Sequence, residues 1–180
     1  ARARQGGRPD MAELAALRGR GRWQDLRLDP AAISMPAGMG LTLNGIAQGY
    51  IADRVARLLT DQGLQDVLID TGEHRALGGG PGGGDWPVKL RQGGQVGPRG
   101  RALASSAPLG TVFDPAGRLG HILDPRTGAP ARPVWRAISI SAPSAALADA
   151  LSTAGCLTGN RAELAAMLAA FPDAHCESAV

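Results

Sequence analysis

The stretch Leu41-Thr-Leu-Asn-Gly-Ile-Ala-Gln-Gly-Tyr-Ile-Ala-Asp53 joins a turn of small residues to the start of a helix. Apolar side chains continue at helical spacing through Val55 and Leu58, which predicts a helix that runs to about Asp61. The N-terminus of such a helix presents free N–H groups and a positive dipole end, which suit a phosphate. Taken alone, the pattern favours a plain strand–helix connection, because glycine-bearing turns of this kind are common.

Outward from this helix, short strands alternate with helices. The predicted strands are 66–70, 86–90, 101–106 and 134–142, and the predicted later helices are 145–157 and a last one that begins after Asn160, which would cap it in a capping-box pattern with Glu163. Near the N-terminus, Asp10 would cap a short helix that contains Met11, Leu14 and Leu17. Residues 111–120 predict a hairpin loop, and the strand at 134–142 alternates as if half-exposed. The order argues for a mixed α/β architecture in one domain, 1–180, with 1–33 as an N-terminal segment.

The composition excludes several classes of protein. Of 180 residues, 44% are hydrophobic and 3% are aromatic, so we expect a core of aliphatic side chains and not a disordered chain. The formal net charge is +3, and Lys89 is the one lysine among scattered arginines. Because a nucleic-acid surface needs basic residues clustered on one face with aromatics nearby, we expect no nucleic-acid partner.

The two cysteines indicate no metal site. Cys156 and Cys176 have no His or Cys at ligand spacing, and the sequence leaves open whether they pair in a disulfide. No apolar run reaches the length of a membrane span. The chain begins with Ala1 and shows no export signal, which leaves open whether an upstream segment was removed.

The segment His121-Ile-Leu-Asp-Pro-Arg-Thr-Gly128 places an imidazole, a carboxylate, a guanidinium and a hydroxyl close together. Asp124-Pro125 and Thr127-Gly128 predict a tight turn, which would direct several polar side chains to one side. A histidine at this place can act as a base or as a phosphate ligand. The residues alone are equally typical of a surface turn with an incidental histidine.

The segment Ala146-Leu-Ala-Asp-Ala-Leu-Ser-Thr-Ala154 places Asp149 and Thr153 four residues apart, and on a helix they share a face. A carboxylate and a hydroxyl at that spacing can both reach one hard cation, and Mg²⁺ prefers oxygen ligands of this type. Alone, the pattern fits better a buried aspartate that is satisfied by its helix or by a neighbouring backbone group.

In this order and spacing, the three segments together resemble the ApbE family of FAD:protein FMN transferases. The first is similar to the family pattern D-L-G-x-I-A-K-G-Y-x-x-D, the second to H-I-[IL]-D-P-[RK]-[TS]-G, and the third to A-D-A-L-S-T-A. Ala104-Ser-Ser106 also resembles the family's A-T-S-G segment. The resemblance covers residues 34–172, and it implies an α+β fold in which helices pack against a mixed sheet.

The resemblance implies a reaction: Mg²⁺-dependent transfer of FMN from FAD to a threonine hydroxyl of an acceptor flavoprotein, with release of AMP. The backbone carbonyl of Ala47 and the side chains of Asp149 and Thr153 would bind Mg²⁺. His121 would assist deprotonation of the acceptor hydroxyl, with Asp149 as a rival for that role. The implied flavin-nucleotide site comprises Asn44, Gln48, Ser106, Ile122 and Asp124.

Two positions depart from the family pattern: the usual acid is Thr42 here, and the usual lysine is Gln48. Both weaken contacts expected toward FAD, and they favour an alternative, a non-catalytic flavin-binding or assembly protein. A third reading is a metal-dependent FAD diphosphatase, in which water replaces the threonine hydroxyl.

The first segment is most similar to the NosX-type branch of the family. That resemblance implies a periplasmic protein that serves nitrous-oxide reductase maturation, with a NosR-like acceptor. Family members are usually longer, so the resemblance also implies that this chain lacks an N-terminal portion of the flavin pocket and would then bind FAD poorly.

Overall fold

A computed structural model of the chain describes residues 10–18 and 22–180. Its strands, in chain order, are β1 (Arg27–Leu28), β2 (Ile33–Ser34), β3 (Val67–Asp70), β4 (His74–Leu77), β5 (Val88–Lys89), β6 (Gln95–Val96), β7 (Ala102–Ser106), β8 (Ile138–Ala142) and β9 (His175–Ala179). Five of them form one antiparallel sheet in the order β3-β4-β7-β8-β9. The pairs β1–β2 and β5–β6 are separate two-stranded ribbons.

The helices are α1 (Met11–Arg18), α2 (Ala47–Asp61), α3 (Ala145–Gly155) and α4 (Arg161–Leu168). Helix α3 lies on β7 and β8, and α2 packs against α3. The predicted end of α2 at Asp61 and the predicted cap of α4 are confirmed, since the Asn160 side chain accepts a hydrogen bond from the N–H of Glu163 at 2.9 Å. No helix in the described part of the chain is long and apolar enough to cross a bilayer. The α+β fold class is confirmed, and the five-stranded sheet is antiparallel throughout rather than mixed.

Strand β8 corrects one expectation, because all five of its residues are buried rather than half-exposed. Ile138 and Ile140 face the apolar core with α3. The alternate residues Ser139 and Ser141 are covered on the opposite face, where Gln92 donates a hydrogen bond to Ser139 at 2.8 Å. A polar residue in alternation therefore marks a second buried face here rather than a face toward water.

Helices α2 and α3 lie so close together that their backbones are in direct contact. Gly49 has no side chain at the closest point, where a Cβ would overlap the main-chain carbonyl of Ala145. One turn later, the carboxylate of Asp53 accepts hydrogen bonds from the N–H groups of Ala145 and Ala146, each at 2.9 Å. Asp53 also forms an ion pair with Arg75 at 3.3 Å. These contacts hold the N-terminus of α3 against the first turns of α2.

The N-terminal segment contains the predicted short helix, α1, at whose start Asp10 accepts a hydrogen bond from the N–H of Ala12 at 3.0 Å. Residues 1–9 and 19–21 of the predicted segment lie outside the described residues. Both cysteines are free thiols; Cys176 is exposed, and burial raises the pKa of Cys156 to about 12.

Candidate functional site

A polar cleft of about 270 Å³ opens where the end of β7 meets the N-terminus of α2 and one face of α3. Segments that are distant in sequence contribute its walls. Its lining residues are Asn44, Gln48, Glu73, Arg91, Gln92, Ser105, Ser106, Ala107, Gly110, Thr111, His121, Ala137, Asp149 and Thr153. The cleft therefore gathers six of the predicted site residues: Asn44, Gln48, Ser106, His121, Asp149 and Thr153.

The close approach of α2 and α3 brings the predicted metal-binding segments together. Asp149 is buried, and its Oδ2 accepts a hydrogen bond from the N–H of Gly49 at 3.1 Å, across 100 residues of sequence. A Cβ built on Gly45 would lie 3.2 Å from the Cγ2 methyl of Thr153. Ala47 is the first residue of α2, two positions before Gly49, although it does not line the cleft.

The hydroxyl group of Thr153 belongs to a chain of hydrogen-bonded hydroxyl groups. Its Oγ1 lies 3.1 Å from Oγ of Ser106, and the same Ser106 oxygen lies 2.8 Å from Oγ of Ser152. Ser152 in turn donates to the carbonyl of Asp149 at 3.0 Å. This chain of hydrogen bonds connects the end of β7 to α3 and orients the hydroxyl of Thr153.

Glu73 is a cleft residue that the sequence did not single out. It lies in the turn between β3 and β4, and its Oε2 accepts a hydrogen bond from the N–H of Ser105 at 3.2 Å. Burial, reinforced by the negative charge of Asp149, raises the pKa of Glu73 to about 8. Burial also raises the pKa of Asp149, against the opposing hydrogen bond from Gly49. Perturbed carboxyl groups that meet in a cleft are typical of functional sites.

His121 enters the cleft from the long connection between β7 and β8. The residue before it, Gly120, passes so close to Pro108 that a Cβ would overlap the Pro108 carbonyl. The Nδ1 atom of His121 lies 3.2 Å from the carbonyl oxygen of Thr111. In the tautomer whose proton is on Nδ1, this nitrogen donates to that carbonyl and Nε2 is free to accept a proton.

Two predicted nucleotide-site residues, Ile122 and Asp124, do not line the cleft. Ile122 is buried in a small core with Ala131 and Cys156. Asp124 lines another cavity, where its carboxylate accepts hydrogen bonds from Arg126, and these hold its pKa below the usual range. Because the chain is extended around the bridge pairs on either side of His121, successive residues point to opposite sides, so Ile122 and Asp124 share the side opposite to His121. The structure therefore separates the histidine from these two side chains.

The donor set of the cleft fits Mg²⁺ by its chemistry. The carboxylates of Glu73 and Asp149, the hydroxyls of Ser106 and Thr153, and the amide of Gln48 are all hard oxygen donors. Within residues 10–18 and 22–180, no group of three or more His, Cys, Asp or Glu side chains could hold a metal. A magnesium ion here would thus depend on hydroxyl, carbonyl, water or phosphate oxygens in addition to carboxylates.

Comparison with known proteins points to one family. The family model described as the ApbE family matches residues 1–175. An FAD:protein FMN transferase of Treponema pallidum is 36% identical over 154 residues, which are 76% of this chain and 42% of that protein. One from Rhodobacter capsulatus is 33% identical over 162 residues, 84% of this chain and 31% of that protein. The chain therefore spans less than half the length of these curated relatives.

Solved structures agree with the sequence comparison. The flavinyl transferase ApbE of Pseudomonas stutzeri, in its apo form, superposes with a TM-score of 0.76 and 31% identity, over 89% of this chain and 53% of that one. The ApbE protein of Thermotoga maritima superposes with a TM-score of 0.83 and 26% identity, over 96% of this chain and 60% of that one.

Proposed function

The chain belongs to the ApbE family, and from this premise we propose that it takes part in the Mg²⁺-dependent transfer of FMN from FAD to a threonine hydroxyl of an acceptor flavoprotein, with release of AMP. The observation that carries the proposal is the hydrogen bond between Gly49 and Asp149, which joins segments 100 residues apart at the cleft. It brings the start of α2, Asp149 and Thr153 to one place.

Asp149, Thr153 and the carbonyl of Ala47 would hold the metal ion. When bound, Mg²⁺ supplies neutralisation of the negative charge on the diphosphate. The hydrogen-bonded serines orient Thr153 for this task, since Ser106 lies 3.1 Å from its hydroxyl oxygen. Asn44 and Gln48 line the cleft beside the N-terminus of α2, where their side-chain amides can hold phosphate oxygens. The N–H groups of Ala47 and Gly49 already donate to the carbonyl of Leu43 and to the carboxylate of Asp149.

His121 would accept the proton of the acceptor threonine. As the threonine oxygen attacks the FMN-side phosphorus, a new O–P bond forms and the bond from that phosphorus to the bridging oxygen breaks. The electron pair of the broken bond leaves with AMP, and the hydroxyl proton moves to Nε2 of His121. The contact of Nδ1 with Thr111 supports this role because it orients the ring and leaves Nε2 free.

The test is incubation of the full-length protein with FAD, Mg²⁺ and a candidate acceptor, followed by intact-mass measurement of the acceptor and detection of AMP. Protein-linked flavin together with AMP supports the transferase. Free FMN without linked flavin would instead support a diphosphatase, and bound FAD without products would support a binding protein. The NosX-type branch, a NosR-like acceptor and a periplasmic location stay predictions, which acceptors drawn from that pathway would test.

A further inference from the structure

Glu73 has no role in the reaction proposed above, yet it is 7% exposed and lines the same cleft as Asp149. Two carboxylates in one such cleft lose hydration and repel each other. An arrangement of this kind is unfavourable unless a positive group compensates for it.

The protein provides one hydrogen bond to each carboxylate. Oε2 of Glu73 accepts from Ser105 at 3.2 Å, and Oδ2 of Asp149 accepts from Gly49 at 3.1 Å. Both donors are uncharged backbone N–H groups. In the described part of the chain, neither carboxylate forms an ion pair.

The remaining oxygen of each carboxylate is available to a ligand. Neither Oε1 of Glu73 nor Oδ1 of Asp149 accepts a hydrogen bond from the residues described. Among the same residues, no fully buried side-chain oxygen lacks a partner, so these two oxygens are accessible, and both residues line the cleft. Arg91 and His121 also line the cleft, but outside ion-pair distance of both carboxylates.

We propose that Glu73 and Asp149 form a carboxylate pair that takes up Mg²⁺ before FAD is bound. Two carboxylates balance the charge of a divalent ion, and Mg²⁺ retains water at the positions that the protein leaves open. Substrate phosphates can then displace that water. The inference deepens the proposed function, on which it rests for the place of the metal, by adding Glu73 to the residues that serve it.

Gln48 is consistent with this inference. Its Nε2 lies 3.5 Å from the carbonyl oxygen of Thr71, beside the turn that carries Glu73. The amide adds no positive charge next to the carboxylate pair. A lysine at this position would place an ammonium group there and compete with the metal ion for the same carboxylates.

The test is isothermal titration of MgCl₂ into the full-length protein without FAD or acceptor, at pH 9, where the carboxyl group of Glu73 is largely ionised. The unsubstituted protein is expected to bind Mg²⁺, and Glu73→Gln to bind at least about tenfold more weakly, since one unit charge near the ion is lost. Gln48→Lys should weaken binding in the same direction. The matched control is Asp61→Asn, which removes one charge from an exposed residue at the far end of α2 and should leave the affinity unchanged.

Glutamine at position 73 can still accept the hydrogen bond from Ser105, so the variant is expected to fold, and thermal unfolding checks this. The inference is overturned if the unsubstituted protein binds no Mg²⁺ without FAD. It is also overturned if folded Glu73→Gln binds Mg²⁺ as tightly as the unsubstituted protein. The titration contains neither FAD nor acceptor, so its outcome is independent of the transfer assay. Mg²⁺ binding in the titration together with no FMN transfer in the assay would contradict the proposed function but not this inference.

Discussion

Two aspartates at the same helix–helix interface have opposite surroundings. Asp53, on α2, accepts two backbone hydrogen bonds from the start of α3 and pairs with Arg75. Asp149, on α3, accepts one backbone hydrogen bond from α2, has no basic partner among the residues described, and shares its cleft with the carboxyl group of Glu73.

We interpret the difference as that between a structural carboxylate and the carboxylate that we propose to serve a ligand. The charge of Asp53 is compensated within the protein, so its contacts contribute to stability. The charge of Asp149 is not compensated, and burial raises its pKa. A group kept in such an environment gains its partner from a ligand. The same substitution at the two positions should therefore have opposite consequences.

The largest effect is expected for Asp149→Asn. The rate of the proposed FMN transfer should fall about a thousandfold, because the charged oxygen that would serve the metal and the phosphates is lost. The amide oxygen can still accept the hydrogen bond from Gly49, so thermal stability should not decrease. Quantifying linked flavin by intact mass and unfolding by calorimetry measures both quantities. Transfer at the unsubstituted rate would contradict the role of Asp149.

Asp53→Asn is the matched substitution at the aspartate whose charge is compensated within the protein. It removes the charge opposite Arg75 and places an amide NH₂ against a backbone N–H of α3, so the free energy of unfolding should fall by about 3 kcal/mol. Denaturant titration measures this change. FMN transfer, assayed well below the unfolding temperature, should persist; a loss of transfer with unchanged stability would reverse the comparison.

Gly49→Ala tests the contact that both aspartates depend on. The added Cβ would overlap the carbonyl of Ala145, so the helices must separate and stability should fall by about 2 kcal/mol. The separation would also weaken the hydrogen bond to Asp149. Ala52→Gly, at a buried position on the same helix, is a control for helix propensity, because it loosens the helix without forcing the two backbones apart. Equal transfer activity in the two variants would argue against a role for the close approach.

The smallest effect concerns pH and Glu73. A carboxyl whose pKa is raised to about 8 in the folded protein stabilises the fold fully below its ordinary pKa of 4.5, and this contribution declines as the pH rises toward 8. Glu73→Gln removes the decline. Because one oxygen of Glu73 reaches the cleft, solvent screens part of the penalty, and we expect the variant to be more stable by about 1 kcal/mol above pH 8.

Denaturant titrations at pH 5 to 9 with a chelator present measure this difference. The unsubstituted protein should lose stability relative to the variant across that range. Parallel curves for the two proteins would show that Glu73 ionises normally in the fold.

The sequence predicted the parts of the site that depend on local pattern. Helical spacing located α2, and an Asn–Glu pair located the start of α4. The order of the three motifs identified the family, and six side chains that the resemblance named line one cleft. Strand β9 was missed because its side chains are mostly exposed and show no apolar alternation; its pairing with β8 is made by the backbone.

Local pattern could not predict which way a side chain points or which residues of other elements lie beside it. The same turn that sends His121 into the cleft buries Ile122 and turns Asp124 toward Arg126, because successive residues of extended chain point to opposite sides. Glu73 was not predicted as a site residue, because a single glutamate after Thr71-Gly72 is typical of an ordinary turn. Its place in the site depends on Asp149, which lies on another element.

The sequence by itself determined the end of α2, the start of α3, the cap of α4 and the family, because these depend on spacing and residue type within short segments. Only the tertiary structure decided which carboxylates are compensated and which are left to a ligand. The physical reason is that a charge in a cleft is governed by donors and basic groups brought close through packing, here through the backbone contact of Gly49 with Ala145.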